Sequence, residues 1–310
     1  MTELSKKIIE EYQVRKTGKQ KKAFREMMIR ELGAKGIEAH EEAHKGIFTS
    51  VNVIVGDADK AEIIFGAHYD TCPRMFFPNF IAPLNRPVYF AYQIGIVLAL
   101  LLISVIPAVP AGMMLGGEAA YRVWYFTYLA LFVLMMKGPA NPHTMNDNTS
   151  GVVGLIELME ALPEEARSRC AFVFFDNEEM HMLGSGAFCK AHGSRMQEIP
   201  MINMDCIGDG EYLMTVASKA FREDGRLYQA MKAAFEGRGS SVHAEAEKAM
   251  YPSDQKGFKK SMAVAAMKKS RAVGYYMDRI HTPKDTVLEE ENIARITGGM
   301  AQLAAEYLKG

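Results

Sequence analysis

The stretch from Pro87 to Gly117 contains no charged residue, and it limits how this chain can fold more than any other feature. Within it, Val88 to Ile106 is as long and as apolar as the roughly 20 residues that a membrane-spanning helix needs. After a loop rich in proline and glycine, a second apolar run extends from Ala119 to Met136, interrupted by Arg122. A basic residue near a helix end can reach the membrane interface, so Arg122 is compatible with a span. The pattern predicts a hydrophobic helical hairpin over residues 87–137.

The hairpin must bury its apolar surface, and two environments for it remain open. In a membrane, Arg74, Arg86 and Lys137 would flank its two ends, which by the positive-inside rule places both ends in the cytosol. The charged N-terminus has no apolar signal region, which favours the same orientation. We therefore expect contact with membrane lipid through residues 88–136, with the remainder of the chain at the cytosolic face. In the alternative, the protein is soluble and cytoplasmic, and the hairpin is a lid or a contact within a homo-oligomer.

Acidic residues or a histidine follow three other apolar runs. These are Ala61–Ala67 before His68 and Asp70, Cys170–Phe175 before Glu178 and Glu179, and Met201–Met204 before Asp205. Runs of this length and composition predict buried strands. Open α/β sheets bind ligands beyond the carboxyl ends of their strands, so we expect these polar residues to converge at one edge of a sheet.

Two more segments complete a set of metal-binding side chains. Asp147 lies in the turn-rich segment NDNTSG, and His281 lies in IHTPKDT. Together the five motifs supply two imidazoles and three carboxylates, which zinc accepts at about 2.0 to 2.2 Å. One carboxylate, that of Glu178, is left over and is free to act as a base. The set indicates a metallohydrolase.

The order of these motifs resembles that of the M28 family of zinc peptidases, which includes two-zinc aminopeptidases and glutaminyl cyclases. The resemblance covers Val51 to Asp70 and Asn141 to the C-terminus. We predict an α/β protein with three α/β/α layers and a mixed central sheet. Its zinc peptidase domain would comprise residues 1–86 and 138–310, interrupted by the hairpin, which the family's usual short connection lacks.

The resemblance also implies two zinc ions per chain and a role for each site residue. The implied ligands are His68 and Asp205 for one zinc, Glu179 and His281 for the other, and Asp147 as the bridge. Glu178 would be the general base acting on a metal-bridging water, and Asp70 would accept the other ring N–H of His68. Tyr251, in a segment similar to the family's pocket lining, would donate a hydrogen bond to the developing oxyanion.

The leading interpretation of function is a two-zinc aminopeptidase that hydrolyses the N-terminal residues of peptides. One alternative is a single-zinc acyltransferase of the glutaminyl cyclase type, to which FFDNEE is similar. Another is a non-catalytic receptor or scaffold with the same fold. The net charge of −1 and the lack of a glycine-rich phosphate loop or a basic aromatic stripe argue against a nucleic-acid partner. The four cysteines have no zinc-finger spacing and are expected to be free thiols.

Overall fold

A mixed β-sheet forms the centre of the structure, a computed structural model that describes residues 1–46 and 48–309. The strands are β1 (Ala39–His44), β2 (Ser50–Val55), β3 (Ile63–His68), β4 (Cys170–Phe175), β5 (Met201–Met204), β6 (Tyr212–Ala217), β7 (Ser241–Glu245), β8 (Ser261–Ser270) and β9 (Gly274–Tyr276). Across the described residues their order is β1-β2-β4-β3-β5-β8-β6-β7, and β9 pairs with β8.

The middle of the sheet is parallel and its outer parts are mixed. Strands β4, β3, β5 and β8 pair in parallel, with Phe65 opposite both Phe172 and Ile202. The pairs β1–β2, β2–β4 and β6–β8 are antiparallel. Every residue of β3, β4 and β5 is buried, as expected for parallel strands that are covered on both faces. The three apolar runs of the sequence are therefore the strands that it predicts.

Helices cover both faces of this sheet. They are α1 (Glu3–Glu11), α2 (Gly18–Ala34), α3 (Arg86–Leu115), α4 (Gly117–Lys137), α5 (Gly151–Ala161), α6 (Glu164–Arg167), α7 (Leu183–His192), α8 (Arg195–Glu198), α9 (Lys219–Glu223), α10 (Gly225–Phe235) and α11 (Glu290–Leu308). Alternate residues of β4 divide between two cores: Phe172 and Phe174 pack with α5 and α11, whereas Val173 and Phe175 pack with α7 and α8. This three-layer α/β/α arrangement confirms the predicted fold.

The two N-terminal helices pack on the sheet through apolar side chains. Ile8 of α1 and Phe24 and Leu32 of α2 are fully buried in the larger core. A capping box starts α2: the Thr17 side chain accepts from the backbone N–H of Gln20, and the Gln20 side chain accepts from that of Thr17. Capping thus satisfies backbone groups that the first turn would leave unpaired.

The inserted hairpin consists of α3 and α4, which pack against each other and expose most of their surface. Both helices are long and apolar enough to cross a membrane. None of residues 117–137, all of which the structure describes, is buried. Large exposed side chains include Leu102, which is 70% exposed, and Phe126, which is 62% exposed. The chain therefore presents an apolar surface far larger than soluble monomers usually expose.

The end of the first hairpin helix differs from the sequence prediction. A loop was expected after Ile106, but α3 continues through Pro107 and Pro110 to Leu115. Each proline removes one backbone donor, a loss that membrane helices tolerate when neighbouring helices pack against them. The reversal occurs instead at Gly116, whose φ of 92° favours glycine.

Candidate active site

The carboxyl ends of three adjacent parallel strands bring the candidate residues together. His68 is the last residue of β3, Glu178 and Glu179 follow β4 after a short turn, and Asp205 follows β5. Because β4, β3 and β5 are neighbours in the sheet, these side chains meet at one edge, as the sequence predicts. All of them line or adjoin a cavity of about 430 Å³.

Asp147 lies between the two histidines. It belongs to the buried turn Met145–Ser150, which precedes α5. One carboxylate oxygen, Oδ1, is 3.3 Å from His68 Nε2, and the other, Oδ2, is 3.0 Å from His281 Nε2. Each oxygen of Asp147 thus faces a different histidine, which is the arrangement that a bridging carboxylate requires.

Each histidine also faces a second carboxylate. Asp205 Oδ1 is 3.6 Å from His68 Nε2, and Glu179 Oε2 is 3.4 Å from His281 Nε2. Two ligands that each bind a tetrahedral zinc at about 2.0 to 2.1 Å lie about 3.3 Å from each other. The spacing of both groups therefore matches ligands that share an ion. Cys72 Sγ also lies within reach of the Glu179 and His281 group.

Two buried carboxylate oxygens support the fit to a metal. Glu179 Oε1 and Asp205 Oδ1 are buried and have no hydrogen-bond partner. A buried carboxylate without a partner is costly, and metal coordination is a usual way to satisfy it. The donor set of imidazole nitrogens and carboxylate oxygens suits zinc. The described residues therefore fit a metal centre.

Glu178 has an environment that suits an acid–base group. Burial raises the pKa of Glu178 well above its usual range, and the charges of Asp254 and Glu179 raise it further. On the opposite side of the site, burial lowers the pKa of His281, but Glu179 and Asp147 outweigh this effect and raise it to about 9. Carboxylates therefore dominate the electrostatics of the cavity.

The contacts of Asp70 differ from those expected. His68 Nδ1 is 3.0 Å from the main-chain oxygen of Asp70, whereas the Asp70 carboxylate is 3.7 Å away. The carboxylate instead accepts hydrogen bonds from the backbone N–H groups of Glu178 at 2.9 Å and Glu179 at 3.3 Å. Asp70 thus orients His68 through its backbone and holds the glutamate pair through its side chain.

A second aspartate supports the bridging residue. The carboxylate of Asp285 is buried and accepts the backbone N–H groups of Asn146 at 2.8 Å and Asp147 at 3.1 Å. Hydrogen bonds to a charged carboxylate are stronger than neutral ones. Asp285 therefore fixes the turn that carries Asp147, in addition to its place in the His281 motif.

Tyr251 lines the cavity, but its hydroxyl is engaged. The phenol donates its proton to the main-chain oxygen of Asp205 at 2.9 Å. A phenol has one proton to donate, so Tyr251 in this conformation has no free donor for an oxyanion. Its role as an oxyanion donor stays a prediction that would require the hydroxyl to rotate.

Two buried charged residues near the site are not among the residues that the sequence analysis predicts for it. Asp254 follows Tyr251 in the sequence and is fully buried; neither of its carboxylate oxygens has a hydrogen-bond partner, and burial raises its pKa to about 7. Arg15, between α1 and α2, is also fully buried and donates to the main-chain oxygens of Tyr69 and Tyr12, each at 2.5 Å. An aspartate in the pocket-lining segment was a usable hint for Asp254. Arg15 lies in a charged linker and offered none.

The cavity over the site also has a wall from the hairpin, formed by Tyr89 and Gln93 of α3. A larger cavity of about 720 Å³ lies beside β1 and β2 and is lined in part by His40 and His192. It contains none of the metal-binding candidates. The smaller cavity is therefore the candidate substrate site.

A protein-family model matches more than half of this chain. The model of peptidase family M28 matches residues 132–304, which include Asp147, Glu179 and His281 but not His68. A search of curated proteins found no significant match.

Three solved structures illustrate the structural similarity. The LapA aminopeptidase of Legionella pneumophila has a TM-score of 0.56 and 12% identity, covering 99% of this chain and 68% of its own. The glutaminyl cyclase of Porphyromonas gingivalis has a TM-score of 0.60 and 13% identity, covering 97% and 95% respectively. That of Fimbriiglobus ruber has a TM-score of 0.61 and 14% identity, covering 98% and 94%. At these identities the similarity shows the fold alone.

Proposed function

The chain belongs to peptidase family M28, and from this premise we propose that it is a two-zinc exopeptidase that removes residues from the N-termini of peptides. The observation that supports this proposal most directly is the position of Asp147, whose two carboxylate oxygens face His68 and His281 separately. A single-ion site has no need of such a bridge. The small cavity suits the end of a peptide better than its middle, because a chain passing through would need an open groove.

The residues divide into two metal-binding groups in this proposal. His68 and Asp205 would hold one zinc, Glu179 and His281 the other, and Asp147 would contact both. Zinc supplies Lewis acidity, which lowers the pKa of a bound water and polarises the peptide carbonyl. Asp70 and Asp285 hold the backbone on which these ligands lie.

Glu178 would move the proton. Its carboxylate takes a proton from the attacking water as the new bond forms between oxygen and the carbonyl carbon. When the carbon–nitrogen bond breaks, the same carboxyl group delivers that proton to the leaving amine, so the proton balance closes.

A single-zinc glutaminyl cyclase activity is the second candidate. The match to this chain covers 94% to 95% of the length of the two cyclase structures, but only 68% of the length of the aminopeptidase. This chain is therefore similar to the cyclases in size as well as in fold. In a cyclase, the N-terminal glutamine amine attacks its own side-chain amide and releases ammonia, so no peptide bond breaks. The products of the two reactions therefore differ in kind.

The test uses full-length protein in detergent, loaded with zinc. Peptides with each N-terminal residue, including glutamine, are incubated and analysed by mass spectrometry, and bound zinc is counted by elemental analysis. We expect release of free amino acids with about two zinc ions per chain. Pyroglutamyl product with one zinc would support the cyclase instead, and a protein that binds no zinc and turns over no peptide would contradict both.

Two neighbouring variants test the division of roles. Glu178→Gln should retain both zinc ions while kcat falls roughly 10² to 10⁴-fold, the usual contribution of general base catalysis. Glu179→Gln should lose zinc. Glu165→Gln, on the exposed face of α6, is a matched control that should change neither quantity. Equal zinc loss in the Glu178 and Glu179 variants would refute the assignment.

We also propose that the hairpin spans the membrane with both ends at the cytosolic face. Arg86 and Lys137 lie at its two ends, whereas at its tip Arg122 pairs with Glu118. The prediction is that extraction requires detergent, and that a Gly117→Cys variant, at a position next to the turn with open space around it, reacts with an impermeant thiol reagent in intact cells. A soluble oligomer in which the cysteine of this variant is protected would instead make the hairpin a lid or a subunit contact.

A further inference from the structure

The inserted hairpin contributes directly to the substrate cavity. Tyr89 and Gln93 of α3 line the same cavity as His68, Glu178 and His281. They are four residues apart and therefore share one face of the helix. Tyr89 also packs against the buried cluster that contains Met277 and Ile280. The insertion is thus part of the site.

The base of the hairpin is firmly attached to the catalytic domain. The Asn85 side chain donates to the main-chain oxygen of Val273 at 3.0 Å, and the Tyr92 hydroxyl donates to that of Pro78 at 2.7 Å. The Phe80 ring packs against Tyr92, with ring centres 5.2 Å apart, and it also stacks on Tyr276. These contacts fix the position of α3 relative to the site.

Beyond its contact with the cavity, α3 exposes large apolar side chains. Ile94, directly after Gln93, is 58% exposed, and Leu98 is 53% exposed. About 20 helical residues starting at Ile94 rise about 30 Å, the thickness of the hydrocarbon core. Gln93 would then lie at the edge of the hydrocarbon, and the cavity would lie at the membrane surface.

Few large apolar side chains outside the hairpin are exposed among the described residues. Apart from Met1, the large ones among the described residues are Phe48, Phe76, Leu84 and Leu183. Phe48 lies under Lys137 at the hairpin base, with the lysine nitrogen 4.6 Å from its ring centre. Phe76 follows Met75, whose backbone N–H donates to the main-chain oxygen of His281. Leu84 lies just before α3, and Leu183 follows Met182, which lines the cavity. These four side chains therefore lie at the hairpin base or next in sequence to residues at the cavity.

From these observations we infer that the active site opens at the bilayer surface, and that its substrates are peptides whose apolar segment is held in the membrane. This inference rests on the proposed peptidase function and membrane-spanning hairpin. A cavity of 430 Å³ is roughly 9 Å across, a distance that about three extended residues cover. An N-terminus only a few residues from the bilayer would therefore reach the metal-binding residues.

The experiment measures how cleavage depends on the distance between the N-terminus and the membrane. Full-length enzyme is reconstituted in vesicles of phosphatidylcholine and phosphatidylglycerol. Its substrates share one N-terminal sequence, which either ends as a soluble peptide or continues through a spacer of about 4, 10 or 20 residues into a leucine-rich helix. We expect kcat/KM for the 4-residue spacer to exceed that of the soluble peptide by at least about tenfold, with no gain from longer spacers. The advantage should vanish when enzyme and anchored peptide occupy separate vesicles.

Variants on one helical turn connect this result to the hairpin. Gln93→Ala and Tyr89→Ala should lower kcat/KM several-fold for the anchored peptide. Gln93→Met preserves the volume of the side chain and serves as the folding control. Phe90→Ala is the control, because Phe90 is on the same turn, is 49% exposed and does not line the cavity.

The possible results distinguish a failure of the inference about membrane-held substrates from a failure of the proposed peptidase function. Equal rates for soluble and anchored peptides in the same vesicles, or cleavage that requires the 20-residue spacer, would overturn the inference while leaving a peptidase. Failure of the zinc-loaded enzyme to cleave either kind of peptide would overturn the proposed function itself.

Discussion

Replacing Asp70 by asparagine separates its two structural contributions. Its main-chain oxygen contacts His68 Nδ1, and any residue at this position keeps that group. Its carboxylate accepts the backbone N–H groups of Glu178 and Glu179. Asparagine keeps one oxygen acceptor, but its NH₂ group would face the second N–H donor. The substitution should therefore disturb the glutamate pair and leave the orientation of His68 intact.

The expected magnitude follows from these contacts. A hydrogen bond to a charged group contributes about 1.5 to 3 kcal/mol, and Asp70→Asn removes one while weakening the other. The shorter bond, at 2.9 Å, holds the proposed base Glu178, and the bond to the ligand Glu179 is longer at 3.3 Å. Since each 1.4 kcal/mol in the barrier is about tenfold in rate, we expect kcat to fall by about 10 to 10²-fold. Zinc affinity should fall by less than about tenfold, below the 10- to 100-fold typical when a supporting partner of a ligand is lost.

The assay compares Asp70→Asn with Asp285→Asn, which instead disturbs the turn that carries Asp147. Zinc affinity is measured by competition with a chelating dye, and kcat is measured at saturating zinc. We expect a loss mainly in kcat for the first variant and mainly in zinc affinity for the second. If Asp70→Asn loses zinc as strongly as Asp285→Asn, and its zinc-loaded form retains normal kcat, the carboxylate acts on His68 and this account of its role is wrong.

Three further predictions concern metal removal, membrane insertion and pH. Removal of zinc should lower the melting temperature by several degrees, and zinc should restore it, because binding to the folded state stabilises it; an unchanged melting temperature would contradict metal binding at the orphaned oxygens of Glu179 and Asp205. Leu102→Arg, on the exposed face of α3, should cost about 2.5 to 3.5 kcal/mol of insertion free energy, measured as the membrane-inserted fraction, whereas Leu102→Ile should insert normally. Burial lowers the pKa of His192, but its hydrogen bonds to Asp59 and Glu42 outweigh this effect and raise it above its ordinary value. Below pH 6 the imidazole is charged in both the folded and the unfolded protein, and His192→Asn should there lower the free energy of unfolding by roughly 0.5 to 1 kcal/mol. This loss should shrink as pH rises through the pKa of His192 in the folded protein. A loss that grows with pH would refute the charge interaction.

The sequence contains enough local information to predict the strands that carry the site. Phe172 to Phe175 and Ile63 to Phe65 are apolar on both faces, and such runs predict parallel strands buried between helices. Since parallel strands end at the same edge, the meeting of His68 with Asp205 followed from the same pattern. The buried strands and the edge at which they end depend on the composition of a few consecutive residues, which can be read directly from the sequence.

The partners of individual polar groups could not be predicted in this way. Whether His68 contacts the backbone or the side chain of Asp70 depends on a difference of 0.7 Å, between 3.0 and 3.7 Å. Burial of Arg15 depends on how a linker between two helices passes beneath the strand ends, and a basic residue in a charged segment usually lies in solvent. Pro107 and Pro110 led to the wrong prediction of a loop after Ile106 for a related reason. The packing of α4 against α3, and not the helix propensity of α3 itself, allows α3 to continue to Leu115.

The position of the hairpin in the chain connects its membrane face to the catalytic face. The chain leaves the sheet at His68, the carboxyl end of β3, forms α3 and α4, and comes back to this edge in the turn that contains Asp147. Because His68 and Asp147 face each other across 3.3 Å, both ends of the insertion start from the same edge of the sheet. An insertion at the carboxyl end of a strand must rise beside the substrate cavity. An insertion at the amino end of a strand would instead emerge at the opposite edge of the sheet. If the hairpin spans the bilayer, the connectivity alone therefore brings the metal-binding residues to the membrane surface, and the contacts of Tyr89 and Gln93 follow from it.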